Sequence, residues 1–379
     1  MSMSTTRIFL RRYLERTERY SYISFSSTEG YPQMSDLPDQ SARVLVTGIS
    51  GFLGGHVALQ LLAQGYTVRG SVRSLERAEK VRKTLAAHGA DTSRLEFVAL
   101  DLLADKGWAE AMSGVRYLQH VASPFVLEMP KDKNDLIRPA VEGTRRAVSA
   151  AFTAGVERVV VTSSIAAIAY GHRDYSRTFT TADWTNTDSP EVGAYAESKL
   201  RAEREAWAVA ESFGARERLA TINPGAILGP LLDEDVGTSG LLVQRLLNGS
   251  IPAAPKMSFS IVDVRDVAAA QVAAMTAPTA GGRRHILADR EMSLFELASA
   301  LRAALPQVAA RAPRFELPNW VVRLIGLFDP QIGSNTAELG HVKRVDGNSG
   351  RLLLARPTIP GPDAAVATAR SLIAQRLVA

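Results

Sequence analysis

The sequence predicts an α/β protein, a doubly wound parallel sheet joined to a smaller, mostly helical C-terminal domain. Three observations point there. From Arg43 onward, short β-branched runs alternate with longer stretches of helical periodicity, the pattern of βαβ units. The first of those runs leads straight into glycines spaced three apart and then into a helix. After Pro224 the alternation stops, and turn residues followed by helical patterns take over.

Six strands are expected, at Arg43–Thr47, Thr67–Val72, 95–100, 117–121, Arg158–Thr162 and 220–222. Amphipathic segments at 56–64, 134–154 and 195–213 place apolar residues at helical spacing and would cover both faces of the sheet. Beyond Pro224 come Gly229-Pro230, a polar loop through Gly240, a short helix to Leu247, then Pro252 and Pro255. Residues 259–275 read as a strand and an alanine-rich helix opened by Asp263 or Asp266, rejoining the first domain. Ser293 and Glu296 make a capping box before a further helix, and 313–362 shows no clear pattern. The expected division is an N-terminal extension over 1–40, a first domain over 41–225 with 258–278 returning to it, and a second domain from 226–257 and 279–379.

Hydrophobic residues at 46% and charged residues at 22% exclude a disordered or fibrous chain. The net charge of +5 comes from scattered Lys and Arg with no aromatic-interleaved basic run, so no nucleic-acid partner is expected. The absence of cysteine excludes disulfides, thiolate metal sites and a cysteine nucleophile; six dispersed histidines lack ligand spacing, so no metal is expected. The longest apolar stretch, 320–328, is short and broken by Arg323, which argues against a membrane span. These features suit a cytoplasmic monomer or homodimer. The first forty residues differ, with Arg7, Arg11, Arg12, Arg16 and Arg19 among Ser, Thr and Tyr. Such a start resembles a transit peptide, which would make the protein organellar; a poorly ordered tail or an over-long translation start is the preferred reading.

Val44-Leu-Val-Thr-Gly48-Ile-Ser-Gly51-Phe-Leu-Gly54 sets a strand, a glycine-rich turn and a helix start in direct succession. The first glycine permits the turn, the second lets backbone approach a pyrophosphate, and the third allows close helix packing. The phosphates then lie at the helix N-terminus. A Rossmann dinucleotide site is expected, with Gly48, Ser50, Gly51, Phe52, Leu53 and Gly54 against the cofactor. Where an acid would read the adenosine 2′-hydroxyl, the second strand ends in Gly70-Ser71-Val72-Arg73. That favours NADP(H), with Arg73 and Lys80 as cations for the 2′-phosphate. Asp101 and Leu102 follow the third strand, and Val121, Ala122 and Ser123 the fourth, at carboxyl ends where ligands bind in open sheets.

Tyr195-Ala-Glu-Ser-Lys199 puts a phenol and an ammonium on one helix face. A lysine so placed favours phenolate and would lower the tyrosine pKa, suiting it to proton transfer at a carbonyl oxygen. Thr162-Ser163-Ser164 ends the preceding strand on the same side and supplies hydroxyls. Each motif alone is common; their conjunction carries the argument.

Glycine turn, Asp101-Leu102, Thr162-Ser163-Ser164 and Tyr195-x-x-x-Lys199 stand in the order found in the extended short-chain dehydrogenase/reductases. Further matches are Gly65-Tyr-Thr-Val-Arg69, Ala122-Ser-Pro124, Asn223-Pro224-Gly-Ala-Ile-Leu-Gly-Pro230 and Phe259-Ser-Ile-Val-Asp263-Val-Arg-Asp266. Over about residues 43–304 the chain resembles their branch of dihydroflavonol 4-reductase-like aldehyde and ketone reductases. The resemblance implies NADPH-dependent reduction of a small-molecule carbonyl, with Ser164 orienting the oxygen, Tyr195 giving the proton and Lys199 binding the nicotinamide ribose. It also implies Thr162 and Ser163 beside the cofactor, and Pro224 and Ile227 against the carboxamide. Phe125, Ser164, Tyr170 and Leu231 would wall the substrate. Flavonoid-reducing members carry an asparagine five residues after the catalytic serine; Ala169 here points to a smaller or more apolar aldehyde, ketone or keto ester.

Three rivals share these motifs: a sugar-nucleotide epimerase or dehydratase, a 3β-hydroxysteroid dehydrogenase, and a regulatory NADP sensor. Arg73 and Lys80 count against the first two, which favour NAD, and the intact Tyr195 and Lys199 against the third. No Gly-x-Ser-x-Gly elbow supports a hydrolase.

Overall fold

A computed structural model describes residues 42–123, 132–328, 333 and 336–378. The N-terminal extension over 1–40 and Phe125 lie outside the described residues. The first half alternates as the sequence predicts: β1 (Arg43–Thr47), α1 (Phe52–Ala63), β2 (Thr67–Val72), α2 (Ala78–Ala87), β3 (Leu95–Ala99), α3 (Trp108–Met112), β4 (Tyr117–His120), α4 (Asn134–Thr153), β5 (Arg158–Thr162), α5 (Ala194–Ser212) and β6 (Leu219–Pro224). The second half holds β7 (Ala226–Leu228), α6 (Gly237–Leu247), β8 (Ala254–Pro255), β9 (Ser258–Asp263), α7 (Val264–Thr276), β10 (Arg283–Leu287), β11 (Arg290–Ser293), α8 (Leu294–Ala304), β12 (Glu316–Leu317), α9 (Asn319–Gly326), α10 (Asn348–Leu354) and α11 (Gly361–Ala374).

The large sheet has the order β10-β6-β5-β4-β1-β2-β3, seven strands among the described residues, all parallel. Strand order reverses between β1 and β4, where Thr47 pairs with His120, and an open sheet binds ligands in the crevice at such a point. Parallel strands buried on both faces read as continuous apolar runs, and Val44, Leu45 and Val46 are all fully buried. On one face α1 and α7 cover the sheet through Val57, Leu61, Val264 and Val267. On the other, α4 and α5 do so through Ala147, Ala151, Ala206 and Ala210, small residues that bring the helices close.

Two differences from the sequence reading stand out. β10 is a seventh strand that reasoning from pattern missed, because it opens on Arg283 and Arg284 and only its last three residues are buried. The segment expected to rejoin the first domain divides instead. Its helix α7, capped by Asp263 accepting from the Arg265 N–H at 2.8 Å, packs on the large sheet. Its strand β9 enters a separate three-stranded sheet, parallel to β7 and antiparallel to β11. That sheet, with α6, α8 and α11, encloses its own core of Leu228, Val243, Leu246, Met292, Leu297 and Leu372. Among the described residues, no helix is long and apolar enough to cross a membrane.

Candidate active site

A cleft of about 920 Å³ opens along the carboxyl ends of the large sheet. At one end its floor is backbone. Gly48 has φ of 71°, a left-handed conformation natural to glycine, and a Cβ there would lie 2.9 Å from the Ala122 Cα. A Cβ on Gly54 would lie 2.1 Å from the Gly48 carbonyl oxygen, so only glycine lets α1 start this close to the turn. Gly51 caps α1 without any side-chain hydrogen bond. The first-turn N–H groups therefore keep their capacity for an anion, which the helix dipole favours. Thr47 Oγ1 fixes the neighbouring strand end, accepting from the Ala122 N–H at 3.1 Å and bonding His120 Nδ1 at 2.9 Å. Burial draws His120 down to about 4, so it is neutral at physiological pH.

At the other end the wall is side chain. Ser164 follows β5 in extended conformation and its hydroxyl accepts from the Ala166 N–H at 3.1 Å, starting a short 3-10 turn. Tyr195 stands in the first turn of α5, 47% exposed toward the cleft. Packing around its hydroxyl pushes the phenol pKa up, and a hydrogen bond with the Ser164 side chain draws it back. The expectation that Lys199 lowers this pKa is thus corrected. The lysine Nζ is 6.0 Å from the Tyr195 ring centroid and donates to Ser123 Oγ at 3.1 Å. Burial brings Lys199 itself down to about 8, opposed by the charge of Glu203. Tyr170 lies beside this pair, its phenol pushed far up by burial.

Gly48, Ser50, Gly51, Phe52, Leu53, Gly54, Arg73, Asp101, Leu102, Val121, Ala122, Ser123, Thr162, Ser163, Ser164, Tyr170, Tyr195, Lys199, Pro224 and Ile227 all line this one cleft. Three residues to which the sequence assigned a bearing on the site lie elsewhere. Lys80 is exposed on α2 and pairs with Glu234 at 2.5 Å. Leu231 is buried in the core of the small sheet, its N–H donating to Ser371 Oγ at 3.0 Å. Ala169 is fully buried with Phe179 and Ile286, so it cannot report on substrate polarity; Ile165 and Ala166 face the cleft instead.

Sequence reasoning missed Arg77, which reaches the cleft wall from the short 3-10 turn Leu75–Arg77 that follows β2. It also missed Asp235, Phe259 and Lys343 on the wall. The ammonium of buried Lys343 lies 4.3 Å from the Tyr170 ring centroid and pairs with Glu338. No local signal marks these three, because distant segments deliver them.

The model of the NAD dependent epimerase/dehydratase family matches residues 44–288. A cinnamoyl-CoA reductase of Medicago truncatula is 33% identical over 270 residues, 70% of this chain and 81% of its own. A ketoreductase of Aspergillus niger is 31% identical over 296 residues, 73% of this chain and 86% of its own. The crystal structure of yeast methylglyoxal/isovaleraldehyde reductase Gre2 complexed with NADPH superposes with a TM-score of 0.73 at 26% identity, covering 88% of this chain and 99% of Gre2.

Proposed function

Because this chain belongs to the NAD dependent epimerase/dehydratase family, we propose that its cleft binds NADP(H) and reduces an aldehyde or ketone to the alcohol. The observation that carries this is the convergence of Ser164, Tyr195 and Lys199 on the same cleft that the glycine turn floors. In this reading residues 41–225 hold the cofactor, and 226–257 with 279–379 shape the substrate end.

The residues present fit NADP(H). A Cβ on Gly51 would point into the cleft, where it meets only the Gly48 carbonyl oxygen at 3.4 Å and an Asp235 oxygen at 3.9 Å, leaving a cradle for phosphate. Arg73 and Arg77 supply two guanidinium groups past the end of β2, where the run Ser71-Val72-Arg73 carries no acidic residue to repel a 2′-phosphate. When bound, NADPH supplies the hydride to the carbonyl carbon. Tyr195 gives its proton to the carbonyl oxygen, and its raised pKa keeps that proton in place at neutral pH until the oxygen becomes basic. Ser164 donates a hydrogen bond to the same oxygen as charge builds there. The Lys199 ammonium is placed to hold the nicotinamide ribose, and with a pKa of about 8 it is mostly charged at pH 7.

The test is oxidation of NADPH and NADH by the purified protein against a panel of aldehydes, ketones and keto esters. Preference for NADPH with turnover of at least one carbonyl class is expected. Cofactor binding without reduction of any of them would turn attention to sugar nucleotides.

A further inference from the structure

The helix that carries Tyr195 and Lys199 carries a third ionisable group with no part in the chemistry above. Glu203 lies one turn beyond Lys199, and its carboxylate is wholly buried. A buried carboxylate is costly unless paired and hydrogen-bonded, and this one is both. Arg284 of β10 meets Oε1 through Nε at 2.6 Å, stacks over Trp184 at 3.6 Å from the ring centroid, and donates to the Thr181 and Asp183 carbonyl oxygens. Ser163 Oγ donates to Oε2, Asn223 Nδ2 to Oε2 at 2.7 Å, and Thr221 Oγ1 to Oε1 at 3.2 Å.

Those donors come from the end of β5 and from β6, so one carboxylate fastens the catalytic helix to the strand end that bears the serine. Asn223 Nδ2 also donates to the Ser164 carbonyl oxygen at 3.2 Å, which ties the backbone of the catalytic serine to the same group. Between Glu203 and Lys199 lies a small polar space of about 20 Å³, bordered by His120, Ser123, Thr144 and Ser163. It is large enough for one water and small enough that the two charges act on each other through it.

We propose that Glu203, backed by Arg284, is a positioning residue for the reduction, setting the Ser164 strand end against the Tyr195 and Lys199 helix and supplying the counter-charge that holds Lys199 as an ammonium. This rests on the reductase reading above. Burial lowers Lys199, and Glu203 is the charge that opposes the fall. The other groups at the ammonium do not replace it. Tyr195 is protonated in the resting protein, His120 from β4 is neutral above about pH 4, and Ser123 and Ser163 carry no charge. Arg284 stands against the carboxylate of Glu203. The sign follows: without Glu203 the lysine loses its proton at lower pH, and the alkaline limb of activity moves down with it.

Glu203→Gln alone would leave Arg284 buried without a counter-charge, so the informative variant joins Glu203→Gln with Arg284→Met and removes both charges together. It is compared with wild type by Tm, by NADPH fluorescence titration, by kcat and KM against pH, and by the pH dependence of Lys199 acetylation in the free protein. Expected are NADPH affinity held at pH values below the Lys199 titration, a kcat loss of up to about 100-fold from a displaced serine, and a downward move of both the alkaline limb and the Lys199 titration. Glu203→Asp, which keeps the charge but shortens the reach, should restore the titration and not the kcat. A double variant with wild-type kcat and pH profile would show that the pair only stabilises the fold and would overturn the proposal. Should the double variant not fold, Glu203→Asp decides alone, and wild-type kcat in it overturns the positioning role. If wild type reduces no carbonyl while the Lys199 titration still moves, the reductase reading fails and the charge coupling stands.

Discussion

The two ends of the cleft are built by different means. At the cofactor end the wall is main chain, and its shape is set by side chains that are missing: a Cβ at Gly54 would strike the Gly48 carbonyl oxygen at 2.1 Å, and one at Gly48 the Ala122 backbone at 2.9 Å. Backbone held in a parallel sheet and a helix start cannot step aside. At the other end, which we read as the substrate's, the wall is assembled from side chains of distant segments: Tyr170 after β5, Phe259 on β9 and Lys343 before α10. Such a wall can change residue by residue without disturbing the sheet. A fold built this way fixes its cofactor end and leaves its substrate end free to vary.

The largest effect expected from breaking this arrangement is at the group between the two ends. Tyr195→Phe keeps the ring and removes the proton, and should lower kcat by roughly 10²–10⁴-fold. NADPH affinity, read by fluorescence titration, should hold, since the cofactor end does not depend on that hydroxyl. Surviving turnover would mean that another group gives the proton. Next comes Leu231→Ala. Its side chain belongs to the small-sheet core, so stability should fall by about 2–5 kcal/mol, measured as a lower Tm or denaturant midpoint, with KM for a small carbonyl unmoved. A KM change without a stability loss would return Leu231 to the substrate wall.

The same contrast explains how much was legible in advance. Gly48, Gly51 and Gly54 announce themselves within seven residues because strand, turn and helix are local in sequence, and Tyr195 with Lys199 because a helix brings i and i+4 together. Arg73 is legible in the same way, since it directly follows the second strand. Phe259 reaches the cleft through pairing of β9 with β7 and β11, and Lys343 through contacts to distant segments such as the Ser260 hydroxyl donating to its carbonyl oxygen at 3.0 Å. Nothing in a window around either residue encodes that meeting. β10 was missed for a related reason: Arg284 reads as a surface residue in sequence, and only the buried Glu203 of a helix eighty-one positions earlier accounts for it.

Within the cofactor end, Arg73→Ser tests whether charge or backbone sets the choice of nucleotide. Loss of one guanidinium contact to a phosphate should weaken NADPH by about 1.5–3 kcal/mol, or roughly 10–150-fold, and leave NADH where it was. Equal loss for both would place Arg73 away from the 2′-phosphate.

The smallest effect is expected from Lys80→Ala, and it marks where the backbone-built end stops. Lys80 meets Glu234 at 2.5 Å in the open, an exposed ion pair that contributes little to stability. Its position still has consequence. The segment that bears Glu234 lies over the glycine turn, since a Cβ on Gly55 would come 2.8 Å from Leu232 Cδ1 and one on Gly237 would come 3.4 Å from Phe52 Cδ1. If Lys80 does no more than hold that segment, its removal should raise KM for NADPH and NADH slightly and in the same proportion, and raising salt in the wild type should copy the change. If Lys80 leaves Glu234 for the 2′-phosphate when the cofactor arrives, NADPH alone should weaken, by about tenfold, and Glu234→Gln should tighten it by freeing the ammonium in advance. The ratio of the two KM values therefore separates a surface clasp from a second phosphate cation, and the geometry favours the clasp.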